Sequence, residues 1–169
     1  MHRKNLIFLR ALGFLAIFAF LQWIWDVAHD TAFEYAVIHG ATVQPAAWLV
    51  NLFTPSIQAQ AIGFTLSAPG GGLNILNGCE GLEALFLLWA AFIVAPLTWI
   101  SKLWGLLLGI IVVFVVNQAR ILLLFYAYRA DHSLFDPLHA TVTPIAVIVL
   151  VSFYFYVWLY RTRRYAQPL

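Results

Sequence analysis

An all-α polytopic membrane protein is the fold class predicted for this 169-residue chain, and three observations predict it. Hydrophobic residues make up 63% of the sequence and charged residues only 9%, the apolar residues come in long blocks, and the few charges segregate between the ends of those blocks. About four transmembrane helices are expected, at residues 6–25, 82–100, 103–128 and 141–160, each near the roughly 20 residues needed to cross about 30 Å of hydrocarbon.

The first block follows a basic start, Met1-His2-Arg3-Lys4, as a secretory signal would. Its length and its interfacial end, Trp23-Ile24-Trp25-Asp26, read instead as an anchor that is kept. Residues 82–100 carry Glu83 in the first turn and Pro96 near the far end, where a missing N–H is tolerated. Arg3, Lys4, Arg10, Lys102, Arg161, Arg163 and Arg164 fall on one side of this four-span arrangement. Asp26, Asp30, Glu34, Glu80, Glu83, Asp131 and Asp136 fall on the other. The positive-inside rule then places both termini in the cytoplasm.

Residues 26–78 form the largest segment outside the expected spans. Residues 46–53, with Pro45 as a first helical residue, predict a short interfacial helix. Residues 60–67 and 73–76 predict two strands of a β-hairpin joined by the turn Pro69-Gly70-Gly71-Gly72. A fifth span over residues 32–53 is disfavoured, because it would bury Glu34, His39, Gln44 and Asn51 and move Lys102 to the acidic side. No internal repeat or linker interrupts the chain, so a single domain over residues 1–169 is expected.

Three residues carry candidate chemistry. Cys79, the only cysteine, excludes an internal disulfide. It sits in Asn77-Gly78-Cys79-Glu80-Gly81, at the mouth of the span beginning at Leu82, where a helix N-terminus favours a reachable thiolate. Glu80 and Glu83 oppose that effect, since nearby carboxylates raise a thiol pKa.

Arg120, in Asn117-Gln118-Ala119-Arg120-Ile121, lies 18 residues beyond Lys102. That is about 27 Å of helical rise, so it should reach the boundary where Cys79 is expected. An arginine there needs a partner or a function. It either pairs with Glu83 or snorkels outward, or it serves a reaction, with Asn117 on the same helix face fixing it or a neighbouring backbone group. His139 precedes the last span in Asp136-Pro137-Leu138-His139-Ala140. With Thr143 as N-cap and Pro144 as first helical residue, it is expected in the loop above that helix, kept neutral by the positive helix end.

A thiolate, an imidazole and a guanidinium drawn from three segments to one depth describe acyl transfer. A non-enzymatic four-helix assembly subunit, with Arg120 and Glu83 as structural glue, is the alternative. A metal or haem site built from His29, His39, His132 and His139 is disfavoured, because no two share a transmembrane face at i, i+4 spacing. No metal or cofactor is therefore expected. Nor is a nucleic-acid partner, since no phosphate loop or basic face is present. His132 shares the last outer loop with His139 and competes with it as the base. Gly105 and Gly109 form a Gly-x-x-x-Gly pair that suits either a seam within the bundle or lateral docking of another helix.

The cysteine motif, the Asn117–Ile121 motif and His139 ahead of the last span together resemble the exosortase/archaeosortase family of membrane cysteine transpeptidases. The resemblance covers about residues 60–160 and suits a compact four-span form, the short exosortase H type. It implies Cys79, Arg120 and His139 as the catalytic set. The implied partners are exported proteins bearing a C-terminal sorting signal (a short motif, one transmembrane helix and a basic tail), together with membrane lipids and an acceptor nucleophile of unspecified identity. The active site is implied at the outer face of the cytoplasmic membrane. The residue after Cys79 is Glu80 rather than a small one, a departure from the family pattern.

Overall fold

The structure is a computed structural model that describes residues 2–76 and 78–165, with side chains described for residues 5–76 and 78–162. Asn77 and the side chains of Arg3, Lys4, Arg163 and Arg164 lie outside the described residues. Two compact units are present: the first comprises residues 1–27, 82–113 and 148–169, the second residues 28–81 and 114–147.

In the first unit, α1 (His2–Val27) packs on α4 (Leu82–Val94), beside the opening half of α5 (Trp99–Ala130) and the greater part of α7 (Thr143–Tyr165). Among the described residues, three stretches are long and apolar enough to cross a membrane: Asn5–Val27, Trp99–Ala130 and His132–Thr162. Their lipid-type surfaces are apolar. Leu9, Leu12, Leu15, Leu103, Leu107, Ile111, Val149 and Phe153 are all exposed, which water would penalise and hydrocarbon would not.

The span expected at residues 82–100 is shorter than predicted. Helix α4 stops at Val94 after 13 residues, about 20 Å of rise. Pro96 explains the stop, because it disfavours helical geometry at Ala95 and offers no N–H. The Ala95 N–H is shared between the Ala91 and Phe92 carbonyls. Lys102 Nζ donates to the Ile93 carbonyl left open at the helix end, a basic C-terminal cap. The Thr98 hydroxyl accepts from Ser101 N–H and starts α5.

The Gly-x-x-x-Gly pair is a seam of this unit. A Cβ at Gly105 would collide with the Phe92 ring, and one at Gly109 would stand 2.7 Å from Leu88 Cδ2. Phe92 is fully buried and held edge-on by Phe155 and Trp158 at 5.0 and 6.2 Å between ring centroids. Tyr154 donates to the Gly105 carbonyl at 2.8 Å.

The second unit differs from expectation in two elements. The interfacial helix expected at residues 46–53 is the end of a longer helical run, α2 (Ala32–Tyr35), a π segment (Ala36–Val43) and α3 (Gln44–Phe53). The run is stabilised by the polar groups that had argued against it. Thr31 Oγ1 accepts from Glu34 N–H at 3.4 Å, and Glu34 answers by accepting from Asp30 N–H at 2.8 Å, a variant of the capping box. Asn51 bonds both ways with Ala59, and Gln118 donates to the Thr42 carbonyl.

The second difference is in the sheet. Residues 60–67 are a hairpin in themselves, β1 (Gln60–Ile62) against β2 (Thr65–Ser67), with β3 (Leu73–Asn74) added antiparallel to β2. Gly63, at φ +55°, leads the two-residue turn between β1 and β2, where a hairpin turn of the mirror-image kind needs a positive φ. The Pro-Gly-Gly-Gly segment links β2 to β3 as predicted, and Arg129 donates to the carbonyls of Pro69 and Gly71. Ile38, Val43, Val50, Leu66, Ile75, Ile121 and Phe125 form the buried core of this unit.

Candidate active site

Cys79, Arg120, His139 and Asn117 all belong to the second unit. Cys79 is half-buried in a turn that opens at Gly78 (φ +91°) and closes at Gly81 (φ +86°), conformations that favour glycine. The Cys79 N–H donates to the Leu76 carbonyl at 3.0 Å, which ties the turn to the residue after the sheet.

Helix α5 holds that turn from beneath with two side chains one turn apart. Asn117, 2% exposed, donates from Nδ2 to the Cys79 carbonyl at 3.0 Å. Arg120 donates from Nη1 to the Gly78 carbonyl at 3.4 Å. The absence of a Cβ at Gly81 permits this approach, since a Cβ would lie 2.9 Å from Asn117 Cγ. Asn117 was expected to restrain the guanidinium or nearby backbone; it restrains the backbone of the cysteine itself.

The third anchor is Thr143. It was expected to be the N-cap of the last span, with His139 in a loop above. Both readings are corrected, because the chain is already helical ahead of Thr143. A 3-10 turn (His132–Leu134), α6 (Phe135–Pro137) and a π segment (Leu138–Val142) run directly into α7. The reason is Pro144, whose ring crowds the carbonyl four residues back and supplies no N–H. The helix answers by widening, and Thr143 N–H bonds Leu138 O, five residues earlier. Relieved of capping, Thr143 is 3% exposed and its hydroxyl accepts from Arg120 Nε at 3.1 Å.

His139 therefore sits one turn before Thr143 in the π segment, ahead of the continuous apolar run of α7. Its ring stacks on Phe135, 5.1 Å between centroids and 8° from parallel, and its Nδ1 is buried without a hydrogen-bond partner among the described residues. His132, the competing base, is exposed and packs edge-on against Tyr128 at 4.2 Å.

Of the remaining candidates, Glu83 lies exposed in the first turn of α4, in the first unit. Glu80 is buried at 7%. His39 is a structural group: its Nδ1 donates to the Gly63 carbonyl at 2.7 Å and its ring stacks on Tyr35. No group of three or more His, Cys, Asp or Glu residues suited to a metal ion occurs among the described residues. Thr143, Gly81 and Phe135 were not singled out for this role from sequence. The spacing of Thr143 one turn from His139 was the available signal.

Residues 5–158 match a family model described as transmembrane exosortase. The chain belongs to the transmembrane exosortase family. As an exosortase-family protein with three long apolar helices, it is an integral membrane protein. No curated protein and no solved structure matches the chain. The match covers the three segments that carry the candidate residues, the cysteine turn, the middle of α5 and the π segment before α7.

Proposed function

We propose that this exosortase is a membrane cysteine protease or transpeptidase that cleaves C-terminal sorting signals of exported proteins at the outer face of the cytoplasmic membrane. Such a signal comprises a short motif, a transmembrane helix and a basic tail. Both termini of the enzyme are cytoplasmic in this reading, as the distribution of Lys and Arg requires.

The observation that carries the proposal is the bonding of Arg120, which joins the carbonyl beside Cys79 to the hydroxyl one turn from His139. A single guanidinium thus ties the thiol-bearing turn to the helix that carries the imidazole. Two of its five N–H donors are used in doing so, and the other three have no partner among the described residues.

In the proposed reaction the neutral His139 accepts the Cys79 proton, and Sγ bonds to the scissile carbonyl carbon. Arg120 stabilises the resulting oxyanion. Collapse of that intermediate breaks the C–N bond, His139 returns its proton to the departing amine, and the tail helix leaves. The thioester left on Cys79 is resolved by an amine or hydroxyl acceptor, giving transpeptidation, or by water, giving hydrolysis. Asn117 acts as a positioning residue by holding the cysteine backbone.

The test is co-expression with a reporter from the same genome that ends in a sorting signal, using wild type and the Cys79→Ala, Arg120→Ala and His139→Ala variants. Tail loss is expected in wild type and in none of the three variants, each still inserted in the membrane. Cleavage that persists in Cys79→Ala would refute the proposal and favour the assembly-subunit reading.

A further inference from the structure

In the first unit, the end of α7 and the start of α5 border a cavity of about 510 Å³ lined by Leu108, Tyr154, Val157, Trp158, Arg161 and Thr162. Four of its six lining residues bear polar atoms, and three of these are satisfied within the protein. Tyr154 OH donates to the Gly105 carbonyl at 2.8 Å. Thr162 Oγ1 donates to the Trp158 carbonyl at 2.8 Å, and Trp158 Nε1 donates to Ser101 Oγ at 3.1 Å. Ser101 Oγ is itself 3.3 Å from Thr162 Oγ1, which closes the network.

Arg161 is the exception. It is exposed and has no hydrogen-bond or ion-pair partner among the described residues. The neighbouring cation, Lys102, is committed to the Ile93 carbonyl and to the Trp99 ring at 5.8 Å. The carboxylates of this unit, Asp26 and Glu83, sit at the last residues of α1 and the first turn of α4, the opposite ends of their helices from this cavity.

Among the described residues, the cavity thus offers one uncommitted cation, Arg161, and hydrocarbon-compatible walls beside it. The guanidinium calls for an anion, and its planar fork suits a phosphate. Leu108, Val157 and the ring faces of Tyr154 and Trp158 call for an aliphatic chain, and the unit's surroundings supply one. We propose that this groove between α5 and α7 binds an anionic phospholipid, its phosphate on Arg161 and an acyl chain along Leu108, Tyr154 and Val157. Basic pockets between membrane helices select such lipids by the same combination of charge and chain. This inference does not depend on the proposed reaction, since it concerns the other unit.

The full-length protein, purified in neutral detergent, would be titrated with phosphatidylglycerol or phosphatidylcholine and bound lipid counted by native mass spectrometry. Glycerol phosphate added as competitor distinguishes a lipid site from a site for a free phosphate. Phosphatidylglycerol is expected to bind in preference to phosphatidylcholine and to resist displacement by glycerol phosphate. Arg161→Gln is expected to weaken it about fivefold, the contribution of one basic residue to an anionic headgroup. Val157→Trp keeps the charge and fills the groove, and is expected to weaken it by a similar factor. Equal binding of the two lipids, displacement by glycerol phosphate, or wild-type affinity in Val157→Trp would each overturn the proposal.

Discussion

Thr143 shows how much the site depends on one hydroxyl. Buried at 3% exposure, it accepts from Arg120 Nε at 3.1 Å. Replacement by valine keeps the shape but strands a charged donor, which costs about 1–3 kcal/mol. With that cost borne in the transition state, Thr143→Val lowers kcat/KM about fivefold to 160-fold, while Thr143→Ser restores most of it. Reporter cleavage by the purified variants measures both. A valine variant with wild-type rates would remove Thr143 from the positioning role. The same scale governs pH. A histidine base is lost on protonation, so reporter cleavage is expected to fall on acidification, and a pH–rate profile with no acid limb would contradict the assignment of His139 as base.

At the scale of elements, the two π segments have a common cause. Each ends two residues before a proline, Val43 ahead of Pro45 and Val142 ahead of Pro144, and each closes with an N–H bonded five residues back. Sequence reading took both prolines as the start of new helices. The structure instead carries the helix through them by widening the preceding turn, which spares the clash with the carbonyl four residues back. In the second case the widened turn carries His139. The glycine seam is the other element-level device. Gly105 faces the Phe92 ring, itself wedged among other rings, whereas Gly109 faces the flexible end of Leu88. Gly105→Ala is therefore expected to destabilise by about 1–3 kcal/mol, the range for overpacking a filled core, and Gly109→Ala by less. Thermal unfolding in detergent orders the two. Equal stability of Gly105→Ala and wild type would show the seam to be loose.

At the scale of the whole molecule, the short α4 bears on orientation. Its 13 residues are fewer than the about 20 that cross a bilayer unaided, yet Lys102 follows it and belongs, by charge, with the termini, which the proposed orientation puts in the cytoplasm. The proposed orientation requires the α4–α5 turn to reach the cytoplasmic face, with Lys102 snorkelling. In a Cys79→Ala background, a cysteine at Lys102 is expected to react with a membrane-impermeant maleimide only after the cells are opened. A cysteine at Gly71 should react in intact spheroplasts. Labelling of the Lys102 position from outside would overturn the topology.

The membrane class, the long spans and the three candidate residues were legible in the sequence because they rest on local quantities. Run length, charge placement and rare residue types carry them without reference to distant contacts. The limits of α4 and the extent of the helical run before the sheet were not legible. A proline signals that the helix register must change, but whether the chain stops, as at Pro96, or widens and continues, as at Pro45 and Pro144, depends on what surrounds it. Polar residues such as Glu34, Asn51 and Gln118 count against burial until their partners are known. The partners of the site were likewise a tertiary matter. Sequence placed Cys79, Arg120 and His139 at one depth. Only folding set Asn117 on the cysteine carbonyl, gave Arg120 to Gly78 and Thr143, and put Gly81 where its missing Cβ lets α5 come so close, because hydrogen bonds between segments 23 to 42 residues apart are fixed by packing and not by spacing along the chain.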